Sequence, residues 1–172
     1  MARNIWVTSD THFLHANSLS WETDTGCADR GKVFSSTSEM NETLVDNWNS
    51  VVKQGDKVYH LGDVFMGNKD EFKTLWPRLA GSKRLIVGNH DDIKFLSSGG
   101  FFQKVQMWRV FTEFGLILSH VPVHQSALTG RRGGLKNIHG HIHTNPSPEG
   151  PYQCVCVEQT NYTPVNIEEL RV

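Results

Sequence analysis

Ile5-Trp6-Val7-Thr8-Ser9-Asp10-Thr11-His12 is a short apolar and β-branched run that ends on a carboxylate and an imidazole two residues apart. Its first half has the composition of a strand, and its end carries groups that a strand interior rarely exposes. The pattern recurs along the chain. Residues 57–61 lead into Gly62-Asp63, residues 84–87 into Gly88-Asn89-His90-Asp91, residues 116–119 into His120, and residues 136–139 into Gly140-His141-Ile142-His143. In open α/β sheets, ligands bind in the crevice beyond the carboxyl ends of the strands. Five strands that deliver carboxylate, imidazole or amide to one rim therefore predict an α/β domain with a metal site at the C-terminal strand ends.

Spacing adds to this. Asp10 and His12 are two apart, as are His141 and His143, and in extended backbone such residues point to the same side. Each pair is thus expected to chelate at one locus. Gly62, Gly88 and Gly140 directly precede candidate ligands, as expected where backbone turns sharply or approaches a site closely. Further strands are predicted at 105–111 and 153–158. Met40, Leu44, Val45, Trp48, Val51 and Val52 recur at helical spacing and predict a helix over 38–52 with Gly55 as its stop. A second helix is predicted over 70–79, kinked or shortened by Pro77, and a last short turn over 166–170. Residues 15–36 read as a long polar loop.

Composition sets bounds on function. A chain of 172 residues fits a single domain over 1–172 that buries roughly 70% of its unfolded surface. No apolar run nears the ~18 residues of a membrane span, and Met1-Ala2-Arg3-Asn4 leads into the first strand without a charged-then-apolar leader. Cys27, Cys154 and Cys156 form no disulfide framework. A cytoplasmic location is expected. The net charge of −1 supplies no basic field for a nucleic-acid backbone, so no extended nucleic-acid groove is expected. Nine histidines are the unusual feature, and their positions carry the argument.

The ordered set D-x-H, G-D, G-N-H-D, a lone His and G-H-x-H, from Asp10 to His143, resembles the calcineurin-like metallophosphoesterase superfamily. The wording Asp10-Thr11-His12-Phe13 and Tyr59-His60-Leu61-Gly62-Asp63 is similar to its short single-domain bacterial and phage members. Many relatives carry an acidic residue shortly after G-D; Val64-Phe65-Met66-Gly67 stands there instead, outside the protein-phosphatase branch. The resemblance implies a layered αββα sandwich of two mixed β-sheets flanked by helices. It implies two divalent metal ions, one held by Asp10, His12 and His143 and the other by Asn89, His120 and His141, with Asp63 as the bridge. His90 would stand beside the leaving oxygen. Donors without thiolate suit Mn, Fe, Co, Ni or Zn, with Mn²⁺ the first choice.

Two divalent ions, two carboxylates and a bridging hydroxide leave a surplus of about +1 for an anionic phosphoester. The expected activity is two-metal hydrolysis of small phosphodiesters, nucleotides or cyclic nucleotides foremost. The alternatives are a phosphomonoesterase, then a non-catalytic scaffold or a nuclease. The oligomeric state is left open. His15, His124 and the glycine-flanked Arg131 and Arg132 are candidate substrate-phosphate contacts; the competing reading for each is an exposed loop side chain. Trp21 is the one tryptophan considered for stacking on a base. Asp91 either orients His90 or caps the helix that follows. His60 and His139 read as buried hydrogen-bonded or supporting histidines.

Overall fold

The structure is a computed structural model that describes residues 4–20, 30–129 and 134–172. Trp21, Cys27, Arg131 and Arg132 lie outside the described residues. The elements run β1 (Ile5–Thr8), α1 (Arg30–Val33), α2 (Thr37–Val51), β2 (Lys57–His60), α3 (Lys69–Leu75), β3 (Ser82–Ile86), α4 (Ile93–Ser98), β4 (Lys104–Gln106), β5 (Trp108–Phe111), β6 (Leu116–Ser119), β7 (Lys136–His139), β8 (Tyr152–Cys154), β9 (Val165–Asn166) and α5 (Ile167–Leu170).

They form two mixed sheets flanked by helices. The first has the order β4-β3-β2-β1-β9 and the second β5-β6-β7-β8. The central pairings β1–β2, β2–β3, β3–β4, β6–β7 and β7–β8 are parallel, so the chemistry-bearing strand ends share one rim. β9 and β5 are the antiparallel edges.

Side-chain alternation along the strands separates two cores. Val58 and Leu85 face outward and pack with Met40, Leu44 and Trp48 of α2, Phe72 and Leu75 of α3, and Leu96 of α4. Tyr59 and Ile86 point the other way, into the layer between the sheets with Val7, Leu116, Leu118 and Ile138. Helix α2 begins where Ser36 accepts the amide of Glu39 at 3.1 Å while the Glu39 carboxylate accepts from Ser35 N at 2.7 Å. Its predicted bounds hold to within one residue. Pro77 acts as expected: α3 stops at Leu75 and the chain continues as a 3-10 turn, Trp76–Arg78.

Three expectations are corrected. The run 105–111 is two strands in different sheets, β4 on β3 and β5 on β6, with the crossing at Met107. The run 153–158 is strand only to Cys154; Cys156 then bridges in parallel to Ser9 and a 3-10 turn, Val157–Gln159, follows. That bridge ties the second sheet to the end of β1. The segment 15–36 is not simply open loop, since its described parts include a 3-10 turn, Ala16–Ser20, and α1, with Ser18 and Arg30 buried. No helix among the described residues is long and apolar enough to cross a membrane.

Candidate metal centre

Two groups of ligating atoms form at the rim, Asp10 with His12 and His143, and Asp63 with His120 and His141; within each group the atoms lie within 4.8 Å of one another. Asn89 Oδ1 stands 2.8 Å from Nε2 of His120 and joins the second group. The structure thus brings together all seven candidate ligands.

The route by which they converge differs from the extended-backbone expectation. Asp10, His12, Asp63, His141 and His143 all have positive φ, between 45° and 72°. A non-glycine residue in this left-handed region costs of order 1 kcal/mol or more, so these turns are held by their surroundings. Asp10 N donates to Gly62 O at 3.0 Å, His12 N to Asp63 O at 3.1 Å, and Phe13 N to Val64 O at 3.0 Å. The loops after β1 and β2 therefore extend the parallel ladder past the strands and lock each other. His141 and His143 do not share a locus, since each goes to a different group.

Each carboxylate is oriented by saturating one oxygen. Asp10 Oδ2 accepts from Ser9 Oγ at 2.5 Å, His141 N at 2.9 Å and Cys156 Sγ at 3.3 Å. Asp10 Oδ1 is buried and has no hydrogen-bond partner among the described residues, and it lies 3.8 Å from Nε2 of both His12 and His143. Asp63 Oδ1 accepts from His90 N at 2.9 Å. Asp63 Oδ2 then lies 3.8 Å from His12 Nε2 and 3.5 Å from His120 Nε2, between the two groups.

The imidazoles are oriented in the same manner. His120 Nδ1 faces Leu61 O at 2.7 Å and His143 Nδ1 faces Glu158 Oε1 at 2.9 Å. Both partners only accept, so each Nδ1 carries a hydrogen toward its partner and each ring turns its Nε2 edge inward. The Nε2 atoms of His120 and His143 then converge with the inward oxygens of Asp63 and Asp10, and Asn89 Oδ1 stands 2.8 Å from His120 Nε2. Divalent cations would satisfy that arrangement, and the N/O donor set fits them.

Charge follows burial. Burial, then the Arg30 charge, holds His12 well below the usual histidine range, and burial also lowers His141. These rings are therefore neutral and able to ligate. Burial raises Asp63, a shift that nearby cations would reverse. His60 is fully buried, and burial pushes it down to about 3. Its Nδ1 accepts from Gly62 N at 3.2 Å and its Nε2 donates to Thr11 Oγ1 at 2.9 Å, so the neutral ring joins the two ligand loops. His139 is likewise buried and bonded, to Gly140 O and Ser147 Oγ.

The glycines work by close approach. A Cβ on Gly140 would overlap Ser9 Oγ and Asp10 Oδ2, and one on Gly88 would overlap the Asp63 carboxylate. Asp91 neither orients His90 nor caps α4, whose cap is Asp92. Its carboxylate accepts from Gly88 N at 2.8 Å, Val64 N at 2.9 Å and Asp63 N at 3.2 Å, pinning the β2 and β3 loops together. His90 is exposed at the rim, its ring 6.0 Å from that of His12. His15 stands 5.5 Å from His12 by ring centroid and shares a cleft of about 400 Å³ with His90, Lys69 and Asp92. His124 is exposed and accepts from Ser126 N at the start of a 3-10 turn, a local capping role.

Two residues of the site escape sequence reasoning. Glu158 Oε1, besides holding His143, accepts from Arg30 Nε at 2.8 Å and Nη2 at 2.6 Å. Arg30, fully buried, also donates to Asp10 O at 2.6 Å and Thr11 O at 2.9 Å. Burial would raise Glu158, but the Arg30 charge and the His143 hydrogen bond outweigh it and hold the carboxyl low. His143 is lowered by burial, yet Glu158 overcomes this and raises it.

Comparison with known proteins shows the family. A family model described as calcineurin-like phosphoesterase matches residues 3–169. An uncharacterized protein of Methanocaldococcus jannaschii is 36% identical over 96% of this chain and 88% of its own length. The gene 66 protein of Mycobacterium phage L5 is 28% identical over 82% of this chain and 78% of its own. The crystal structure of a protein of unknown function from Aquifex aeolicus superposes with a TM-score of 0.70 at 26% identity, covering 98% of both chains.

Proposed function

The chain belongs to the calcineurin-like phosphoesterase family, and from that premise we propose a phosphodiesterase of small substrates that works with two divalent metal ions. Asp10, His12 and His143 hold one ion, Asn89, His120 and His141 the other, and Asp63 is shared. The observation that carries this reading is the position of Asp63 Oδ2, 3.8 Å from an imidazole of one group and 3.5 Å from an imidazole of the other. When bound, such ions supply Lewis acidity and acidify a water for attack on phosphorus.

The chain's own residues do the rest. Saturation of Asp10 Oδ2 and Asp63 Oδ1 aims the opposite oxygens inward and fixes them before substrate arrives. The bond from His90 N to Asp63 Oδ1 couples the shared carboxylate to the rim histidine. His90 is the candidate to protonate the leaving oxygen; Lys69 beside it is paired with Asp92 at 2.6 Å, which holds it at the edge of the His15–His90 cleft. A diester is favoured because two clefts open from the rim, one beside His15 and His90 and an apolar one beside Asn89 and His120, which gives each ester arm a place. Mn²⁺ is the first ion to load, and nucleotides and cyclic nucleotides belong in the first screen.

The test compares bis(p-nitrophenyl) phosphate with p-nitrophenyl phosphate, using protein loaded with Mn²⁺ and protein stripped by chelator. Faster diester turnover, lost on chelation and restored by metal, is expected. A strong monoester preference would end the diesterase assignment, and turnover insensitive to chelation would end the metal assignment.

A further inference from the structure

The apolar cleft beside Asn89 and His120 lies on the outer face of the second sheet, and the diesterase reading leaves open which kind of ester arm it takes. It has a volume of about 780 Å³, and its wall is apolar, formed by Trp108 of β5, Met107 at the sheet crossing, Ile117 of β6, Ile93 of α4 and Val121. Trp108 and Met107 are each 62% exposed and Ile93 is 50% exposed, unusual for large apolar residues clustered around one concavity. The register explains the exposure. Trp108 pairs with Ser119 and Val110 with Ile117 across β5 and β6, so Trp108 and Ile117 stand on the face opposite Phe111 and Leu118, which fill the layer between the sheets.

The cleft is continuous with the rim, because Asn89 and His120 line it as well. Its other polar groups are already used. Ser119 Oγ donates to Val121 O at 2.7 Å and accepts from Asn137 Nδ2 at 2.9 Å, and the Asp91 carboxylate is occupied by three backbone amides. Away from the rim the described wall offers apolar surface and a flat indole. The volume lies within the range of small-molecule pockets.

We infer that this cleft is a specificity subsite that receives an apolar, ring-bearing ester arm of the substrate, with the ring against Trp108 while the phosphate sits at Asn89 and His120. A sugar arm would lose its hydroxyl hydration there without finding partners, whereas a ring gains contact with the indole and the Met107 thioether. The inference rests on the phosphodiesterase reading for the identity of the arm but not for the existence of the cleft.

Three diesters that share a p-nitrophenyl leaving group and differ in the second arm (methyl, phenyl and thymidin-5′-yl) form the test on Mn²⁺-loaded protein. The phenyl ester is expected to exceed the methyl ester in kcat/KM by about 10- to 100-fold and to exceed the thymidyl ester. The preference should collapse in Trp108→Ala and shrink in Ile93→Ser, both exposed positions, with the methyl ester unaffected. Equal rates for the three esters, a thymidyl preference, or a Trp108→Ala variant that slows all three alike would overturn the subsite.

Calorimetry with phenylphosphonate and methylphosphonate separates the two layers of argument. If no diester is turned over but phenylphosphonate binds at least tenfold tighter, through Trp108, the diesterase reading fails and the subsite stands. Equal or undetectable binding of the two phosphonates sinks the subsite whatever the turnover. Light scattering decides the competing occupant: a wild-type dimer that Trp108→Ala converts to a monomer would make the cleft an interface between copies and overturn the proposal.

Discussion

Glu158→Gln keeps the shape of the side chain and removes its charge. In the native site one oxygen, Oε1, collects His143 Nδ1 at 2.9 Å and two Arg30 nitrogens at 2.8 and 2.6 Å. Arg30 in turn holds the carbonyls of Asp10 and Thr11, which belong to the left-handed turn carrying Asp10 and His12. The substitution therefore reaches every member of one ligand group without touching a metal-facing atom. Loss of a carboxylate that orients a ligating histidine typically costs 10- to 100-fold in metal affinity. In the second group His120 is oriented by Leu61 O instead, and only the His141 amide, which donates to Asp10 Oδ2, reaches the Asp10 turn, so this group should change less.

Stability should fall as well. Removing one partner of a buried ion pair costs roughly 3–5 kcal/mol, and the amide oxygen that Gln retains should limit the loss to about 1–3 kcal/mol. Calorimetric titration of Mn²⁺ into chelator-stripped protein separates the two effects from urea midpoints taken on the same samples. The expected record is two sites in the wild type and, in the variant, one unchanged site and one weakened 10- to 100-fold. Two sites of native affinity in a variant with a lowered urea midpoint would refute the reasoning, leaving Glu158 a purely structural partner of Arg30.

His60, held near 3 against an unfolded value near 6.5, stays neutral in the folded state while the unfolded chain takes up a proton. Stability should therefore fall as pH drops below about 6.5, by about 1.4 kcal/mol per pH unit for this residue until about 3, and urea midpoints should show a shallower slope in His60→Gln. Asp91→Ala strips three amides of their acceptor and should cost about 3 kcal/mol together with metal content at Asp63, His120 and His141; Asp91→Asn should lose less in both measurements. Gly140→Ala forces the Asp10 carboxylate aside, so elemental analysis should find the Asp10 group depleted of metal, and full occupancy would show that the loop can yield. Chelation should leave the far-ultraviolet spectrum intact, because sheet packing holds the ligand loops, while the urea midpoint drops by what linkage allows, about 2.7 kcal/mol for a site held at 100 times its Kd.

The strand-end rule made much of this legible. Apolar runs that stop on Asp, Asn or His located β1, β2, β3, β6 and β7 and the candidate ligands beyond them. The same rule reaches Glu158, since the run 153–158 also stops on a carboxylate, though nothing in the sequence says what that carboxylate meets. Arg30 had no such signal, being one cation in a segment without period; only the fold makes it a buried fork between Glu158 and the Asp10 turn. The break at Met107 was hidden because nothing between Val105 and Phe111 is a turn former, and the switch of sheets is a tertiary event. Trp108 shows the same limit: alternation shows that a residue faces one side of a sheet, not whether that side is covered.

The left-handed turns show what pattern reading leaves out and why the fold needs it. A strand continued straight through His141 would keep the alternation of the sheet and confine His141 and His143 to one face and one locus, whereas they serve different ligand groups. A turn at positive φ breaks that alternation within one residue and lets Asp10, His12 and Asp63 all look inward. Its backbone cost of order 1 kcal/mol or more per residue is met by bonds that exist only when both loops are in place: Asp10 N to Gly62 O, His12 N to Asp63 O, Asp91 across three amides, and Arg30 on two carbonyls. Each loop is strained alone and held by its neighbour, so the ligand geometry is a property of the rim as a unit. That interdependence explains why Gly62, Gly88 and Gly140 stand one residue before a ligand. At these points the backbones come close enough to hold each other, and Gly88 and Gly140 leave no room for a Cβ beside the Asp63 and Asp10 carboxylates.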